Sequence, residues 1–472
     1  MAVTETATHA SAPASTKGAH RAFFLRLHFY AGLFVGPFLL IAALSGGLYA
    51  VAPSIEQLVY RHYLHVDSTG PALPVSDQIR VAQEVRPDLD VTAVRPATAP
   101  GDTTRVMFGD PTLGPSERLG VFVDPVTGQS LGQLTVYGSS GSLPVRTWIS
   151  NLHRNLHLGE PGRLYSELAA SWLWIIALGG VILWVGRYRR TRRQRPAEAR
   201  LLTVDRSARG RALTMNWHGA VGLWIAAGLF FLAATGLTWS TYAGANVDAL
   251  RAAMSWTTPT VATAGDPEHA GHGATTEPDS AAAPSEPRIG EVDRVLQAAR
   301  AAGIDGKVEV SIPSLPDTAF TVTQTRQPWV LSNSTVAVDG TTGKITDATW
   351  FADWPLAAKL SAWGIQLHMG TLFGVANQLV LVALAAALAT VVVRGYLMWW
   401  RRRPTRGAGP GGRPPRRGAL TQLPPGAAVA VVMIAAAVGW FVPLFGLSLV
   451  AFVAVDVAVG FVRRAAPQPS GN

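Results

Sequence analysis

Residues His28–Gly46 read HFYAGLFVGPFLLIAALSG, and residues His218–Gly236 read HGAVGLWIAAGLFFLAATG. Each stretch opens on a histidine, has Gly-Leu four and five places later, and closes on Ser-Gly or Thr-Gly. Between those points neither holds a side chain charged at neutral pH. A run of roughly 20 apolar residues crosses a bilayer as a helix. The same helix, with one histidine at the same end, is therefore written twice.

Working outward, apolar regions occupy residues 23–51, 167–186, 217–242, 375–400 and 427–462. The last is about twice the roughly 20 residues that one crossing needs. Pro443 and Gly446 lie near its middle, so it reads as two helices joined by a tight turn. The sum is six crossings. Charge placement supports that number. Lys17, Arg21 and Arg26 precede or open the first span, Arg187–Arg195 and Arg401–Arg417 follow the second and fourth, and Arg463 and Arg464 follow the sixth. With six crossings every cluster falls on one side, which the positive-inside rule makes the cytoplasm. Ala50-Val51-Ala52 looks like a signal-peptidase site, but the apolar stretch is too long and Pro53 follows, so the first helix reads as uncleaved.

Composition agrees. Of 472 residues 48% are hydrophobic and 15% charged, with mean hydropathy +0.22, whereas soluble domains carry about 25% charged residues. The net charge of +10 sits at span ends, not on a phosphate-binding face, which argues against nucleic acid. No cysteine is present, which excludes disulfides, thiolate-held clusters and covalent c-type haem.

The sequence thus divides into a tail (1–22), a span (23–51), an extracytoplasmic segment (52–166), a span (167–186) and a basic cytoplasmic loop (187–216). A span (217–242), a second extracytoplasmic segment (243–374), a span (375–400), a second basic loop (401–426), the hairpin (427–462) and a tail (463–472) follow. Both outer segments read as one helix and three strands. In the first, Ser76 caps a helix carrying Ile79, Ala82 and Val85 and stopped by Pro87. Strands near 90–95, 105–109 and 119–123 end in the turn Asp124-Pro125-Val126-Thr127-Gly128. In the second, Ile289, Val292, Val295, Leu296 and Ala299 have helical spacing. Strands near 307–312, 319–323 and 335–338 then end in Asp339-Gly340-Thr341-Thr342-Gly343. Residues 257–287, rich in Pro, Ala, Thr and Glu without periodicity, read as a disordered linker.

The repeat extends beyond the spans. Leu152-His153 matches Leu367-His368, each with a glycine six residues after the histidine. Asp124 lies 29 residues before His153, as Asp339 does before His368. The chain is duplicated in parallel orientation, and four of its eleven histidines occupy equivalent points. His28 and His218 fall at the cytoplasmic boundary, His153 and His368 at the outer one. A lone histidine at a helix end is usually an interfacial group snorkelling to water. Four at matched points, at membrane depth, call for a function. Two pairs, one at each face, suit axial ligation of two b-type haems. Gly32 and Gly222 leave room on the histidine-bearing face for a flat macrocycle. His157, one turn beyond His153, is the second-choice outer ligand, because Leu372 stands at the equivalent place. Arg26, Arg154, Arg163 and Lys359 are candidate partners of haem propionates. Asp456, inside the last span, is read as a pairing or snorkelling acid. His269 and His272 belong to the linker.

These motifs, with Val121-Phe-Val-Asp124-Pro-x-Thr-Gly128, Leu152-His153-x5-Gly159-Glu-Pro-Gly162-Arg163 and Leu367-His368-x-Gly-x-Leu-Phe-Gly374, resemble the PepSY-associated transmembrane proteins. These are bacterial iron-regulated membrane proteins, some of which are ferric-siderophore reductases. The resemblance spans about residues 20–462. It implies an α-helical integral inner-membrane protein with an internal repeat, two small α+β PepSY-like extracytoplasmic domains, and cytoplasmic N and C termini. For the family's ferric-siderophore reductase members it further implies two haems b, whose ligands carried over by position are His28, His218, His153 and His368. The sequence departs in its long linker and in Gly340, where the first repeat has Pro125. The expected function is electron transfer from an unknown donor to an extracytoplasmic ferric chelate or siderophore. The family name also carries an association with peptidase regulation. The alternative is therefore a non-redox membrane protein that binds or restrains a protease or another outer partner.

Overall fold

The computed structural model describes residues 16–263, 286–401, 420 and 422–465. Most of the 257–287 linker, with His269 and His272, lies outside the described residues, as do most of both tails and most of the second basic loop. In the first half, helix α1 (Thr16–Val59) and the short α2 (Arg61–Leu64) lead to α3 (Val75–Val85). Four strands follow: β1 (Asp90–Arg95), β2 (Thr104–Gly109), β3 (Glu117–Val123) and β4 (Ser130–Tyr137). Helices α4 (Pro144–Asn155) and α5 (Glu160–Gln194) close the repeat. The second half runs α6 (Gly210–Leu237), α7 (Tyr242–Ala253), α8 (Glu286–Gly290) and α9 (Val292–Ala301). It continues through β5 (Val308–Ser311), β6 (Phe320–Gln324), β7 (Thr335–Val338), β8 (Ile345–Thr349), α10 (Leu356–His368) and α11 (Gly374–Trp400). Helices α12 (Pro425–Phe441) and α13 (Pro443–Ala465) end the chain.

Five of these helices, α1, α5, α6, α11 and α13, are long and apolar enough to cross a membrane. The sixth apolar helix, α12, has 17 residues, about 25 Å at 1.5 Å per residue. The hairpin bends at Val442-Pro443, as the proline requires. Gly439 and Gly446 face each other there, and a Cβ on Gly446 would lie 2.7 Å from the Gly439 carbonyl oxygen.

The chain forms two compact units. One comprises residues up to 44, 158–246 and 384 onward; the other comprises 45–157 and 247–383. The first unit is helical, around Val35, Leu39, Leu173, Leu229 and Ala233. Its last helix is fixed by polar bonds as well. Trp172 Nε1 donates to Ser448 Oγ at 2.9 Å, and Arg26 pairs with Asp456 at 2.6 Å, the pairing role expected of that acid.

In the second unit both repeats contribute to one sheet of order β4-β3-β2-β1-β5-β6-β7-β8. Its centre is the antiparallel join of β1 and β5, Ala93 opposite Ser311 and Val94 opposite Val310. A bulge in β1 between Val91 and Ala93 turns Val91 and Val94 to the same face. There they meet Val106, Val121, Val310, Phe320 and Val336 beneath α3 and α9. The joined halves thus share one core.

Three expectations change. Each repeat has four strands, not three; β4 and β8 are edge strands with almost no buried residue, so their apolar alternation is weak. Ser76 does not cap α3: the helix begins at Val75 after Pro74. Its cap is the Asp293 carboxylate of α9, which accepts from the Val75 and Ser76 amides at 2.7 and 3.1 Å. Finally, each outer segment holds more than the one helix expected: His153 and His368 lie ahead of the spans, where the sequence placed them, but on helices of their own, α4 and α10. The expected turns do form: Asp124 Oδ1 accepts from the Val126 amide at 2.9 Å and Asp339 Oδ1 from the Thr342 amide at 2.7 Å.

Candidate functional site

His28 on α1 and His218 on α6 meet in the helical unit, ring centres 6.1 Å apart and planes at 77°. His28 Nδ1 lies 2.9 Å from the Ile176 carbonyl oxygen of α5. His218 Nδ1 lies 2.9 Å from the Val391 carbonyl oxygen of α11. A carbonyl only accepts, so in both rings Nδ1 carries the proton and donates. Each Nε2 then keeps its lone pair, the tautomer that a metal-ligating imidazole needs.

For His28, glycine makes room for the ring. Gly180 and Gly395 stand four residues after the two accepting carbonyls. A Cβ would come within 3.1 Å of His28 Cε1 at Gly180 and 3.6 Å of His218 Cε1 at Gly395. Sequence reading missed these acceptors. A signal existed, because Ile176, Gly180 and Trp184 recur as Val391, Gly395 and Trp399 at the offset that separates His153 from His368.

Both rings line a cavity of about 310 Å³. Its walls are largely apolar, including Leu33, Leu173, Leu229 and Val392, with Trp184, Tyr396 and Trp399. Gly32 and Gly222 also line it, and a Cβ at either would meet nothing within 4 Å. Arg21, Arg187, Arg190 and Arg211 complete the lining, and no carboxylate pairs with any of them among the described residues. No group of three or more His, Cys, Asp or Glu able to hold a bare metal ion occurs among the described residues. Two imidazoles with spare nitrogens, apolar walls, glycine clearance and unpaired arginines fit a flat, apolar, carboxylate-bearing iron macrocycle.

The second histidine pair belongs to the sheet-bearing unit. His153 Nδ1 lies 3.0 Å from Ser45 Oγ, and its ring stacks on Tyr49 at 6.0 Å and 10°. Gly46 is where the ring approaches α1: a Cβ there would lie 2.9 Å from His153 Cε1. His368 ends α10, and the adjacent Met369 packs with Tyr49, Ala52 and Ile149. Gly370 next in line has φ +75° and sits where a Cβ would be 2.8 Å from the Ala50 carbonyl oxygen, so only glycine fits. Burial holds both imidazoles neutral, His153 down to about 4 and His368 to about 3, with His153 adding to the depression of His368.

His157 lies elsewhere. It is exposed, has φ +55°, and its ring lies 4.9 Å from that of the exposed Trp148, tilted by 33°. The expected propionate partners are engaged with protein groups. Arg26 pairs with Asp456, Arg154 donates to Tyr137 Oη at 2.8 Å, Arg163 lies 3.8 Å from Glu160, and Lys359 donates to the Ala352 carbonyl at 2.6 Å.

Residues 25–402 match the family model described as the PepSY-associated TM region. The match contains all four repeated histidines and both histidine-accepting carbonyls. The chain belongs to the PepSY-associated transmembrane family. A comparison with curated proteins finds no match. In this PepSY-associated protein the pair His28 and His218 is held by two helices of each repeat. His153 is held by Ser45, Gly46 and Tyr49 of α1.

Proposed function

We propose that this PepSY-associated protein is a dihaem b oxidoreductase of the bacterial cytoplasmic membrane, with six crossings and both termini in the cytoplasm. It passes electrons outward to a ferric chelate, as a ferric-siderophore reductase does. The observation that carries the reading is the matched pair of histidine-to-carbonyl hydrogen bonds, His28 to Ile176 and His218 to Val391, each leaving Nε2 free. Hydrogen bonding of every backbone group within a helix normally leaves no reason to aim an imidazole at a mid-helix carbonyl. Fixing a ligand's tautomer and ring plane is such a reason.

When bound, haem supplies a one-electron couple whose potential the axial ligands and surroundings set. His28 and His218 hold the inner macrocycle, and Arg21, Arg187, Arg190 and Arg211 neutralise its carboxylates. His153 and His368 hold the outer one, with Ser45 and Tyr49 fixing the His153 ring. A reduced cytoplasmic or membrane-bound carrier gives up one electron per Fe(III) reduced, and the chelate releases Fe(II). Release follows because Fe(II) is softer and less charged, so hard oxygen donors hold it less tightly.

Purification from a haem-replete host tests the reading. The protein should show a Soret band and about two low-spin haems per chain. A folded but colourless preparation sinks the redox function and leaves the non-redox PepSY reading.

A further inference from the structure

Near the outer histidines the protein carries two arginines, Arg146 and Arg326, and among the described residues one acid, Glu56, pairs with the first and none with the second. Arg146 lies on α4 seven residues before His153, two turns away on the same face, and only 7% of it is exposed. A buried cation is costly unless paired and fully hydrogen-bonded. Its nearest acid is Glu56, at 3.7 Å, and the other oxygen of that carboxylate accepts the Leu143 amide at 2.6 Å. Arg146 Nε has no partner.

Arg326 follows β6 and approaches the same place. Its Nη1 lies 3.5 Å from the sulfur of Met369, the residue after His368. No carboxylate pairs with Arg326 among the described residues. Its side chain is open to solvent, yet burial lowers the guanidinium's affinity for its proton, opposed by Tyr49 and reinforced by Arg146. Tyr49 is the residue stacked on His153. Met369 packs with Tyr49 and with Val145 and Ile149 of α4, on either side of Arg146 in the sequence, so Arg326 and the Glu56-paired Arg146 approach the neighbourhood of both outer histidines.

We infer that Arg146 and Arg326 form a carboxylate-binding site next to His153 and His368. Planar guanidinium forks suit carboxylates. The inference rests on the proposed ligand role of the outer histidines. Two sources supply that chemistry: the propionates of the outer haem, or the carboxylates of an anionic ferric chelate.

The test uses the full-length protein with Arg146→Gln, Arg326→Gln and the double substitution. Haem per chain, the outer haem's midpoint potential and the KM for ferric citrate against a neutral ferric hydroxamate are read. If propionates occupy the site, loss of positive charge stabilises the oxidised state. The outer midpoint potential then falls with both KM values unchanged. If the chelate occupies it, the potential holds and the KM for ferric citrate rises at least tenfold, with the hydroxamate unaffected. Either result supports the carboxylate site, and Arg326→Gln, an exposed position, reads it even if Arg146→Gln fails to fold. Unchanged potential and unchanged KM in a folded Arg326→Gln protein overturn it. Should the parent protein carry no haem, the histidine reading has failed separately. Citrate binding measured by calorimetry, lost in Arg326→Gln, then upholds the arginine site, and binding that is absent or unaltered overturns it.

Discussion

Gly46→Ala should empty the outer site while leaving the inner one intact. The added Cβ would lie 2.9 Å from His153 Cε1, whereas carbon atoms rest at about 3.5–4.0 Å. The ring must therefore retreat by at least about 0.6 Å, more than the roughly 0.5 Å within which a binding constellation has to be held. It has little freedom to retreat, because Ser45 bonds Nδ1 at 3.0 Å and Tyr49 stacks on its face. Overpacking costs about 1–3 kcal/mol, and loss of the Ser45 bond about another 1 kcal/mol. At 1.4 kcal/mol per decade, a total of about 2–4 kcal/mol weakens the ligand site about 30- to 700-fold. The fold should survive, since alanine in a helix interior is favoured over glycine by about 0.5–1 kcal/mol. Gly186→Ala is the control, because its Cβ meets nothing within 4 Å, it is not part of the cavity lining and it lies in the other unit. Pyridine-haemochrome quantitation and low-spin electron paramagnetic resonance read both variants. Two haems per chain and an unchanged spectrum in Gly46→Ala would refute the placement of His153 as a ligand.

Three other outcomes are expected. His28→Ala or His218→Ala should remove the inner haem and spare the outer, and His153→Ala or His368→Ala the reverse; equal loss of both from all four folded variants would dismiss this pairing. Glu309→Gln should weaken the seam between the repeats by about 3–5 kcal/mol, as expected when one partner is removed from a buried pair, because Glu309 bridges Arg95 at 2.6 Å and Arg118 at 3.0 Å. Burial alone would raise the Glu309 pKa, but Arg95 and then Arg118 outweigh it and hold it below the usual value. The parent's stability from this group is therefore full above about pH 4.5, its reference region, and is lost as pH falls through the lower folded value. Thermal melts against pH should show that acid step in the parent and not in Glu309→Gln. Replacing residues 264–285 by a short Gly/Ser bridge should preserve haem content and ferric reduction in vesicles, since the segment has no counterpart in the first repeat; a large fall in turnover with haem retained would assign it a role in substrate supply.

What could be read from the sequence depended on whether side chains alone carried the signal. The long apolar runs and the alternation of Val106, Phe108, Val121 and Val123 state their burial directly. So do the Asp124 and Asp339 turns, whose carboxylates cap amides only two and three residues away. Strands β4 and β8 gave no such pattern because, at the sheet edges, they bury little. The cap of α3 came from Asp293, 217 and 218 positions distant from the amides it serves, and no local rule finds that. The histidines were legible only because duplication wrote them twice. The carbonyls that orient them were not, since a backbone oxygen has no sequence letter; only the glycines four residues later betray it. Arg146 and Arg326 are the furthest from legibility. That Arg326 has no acid among the described residues, and Arg146 only the second oxygen of Glu56, emerges after the fold has paired Arg95 and Arg118 with Glu309 and committed the first oxygen of Glu56 to a backbone amide. Charge balance is a property of the folded neighbourhood, so an anion site of this kind is found by accounting for every nearby acid and not by motif.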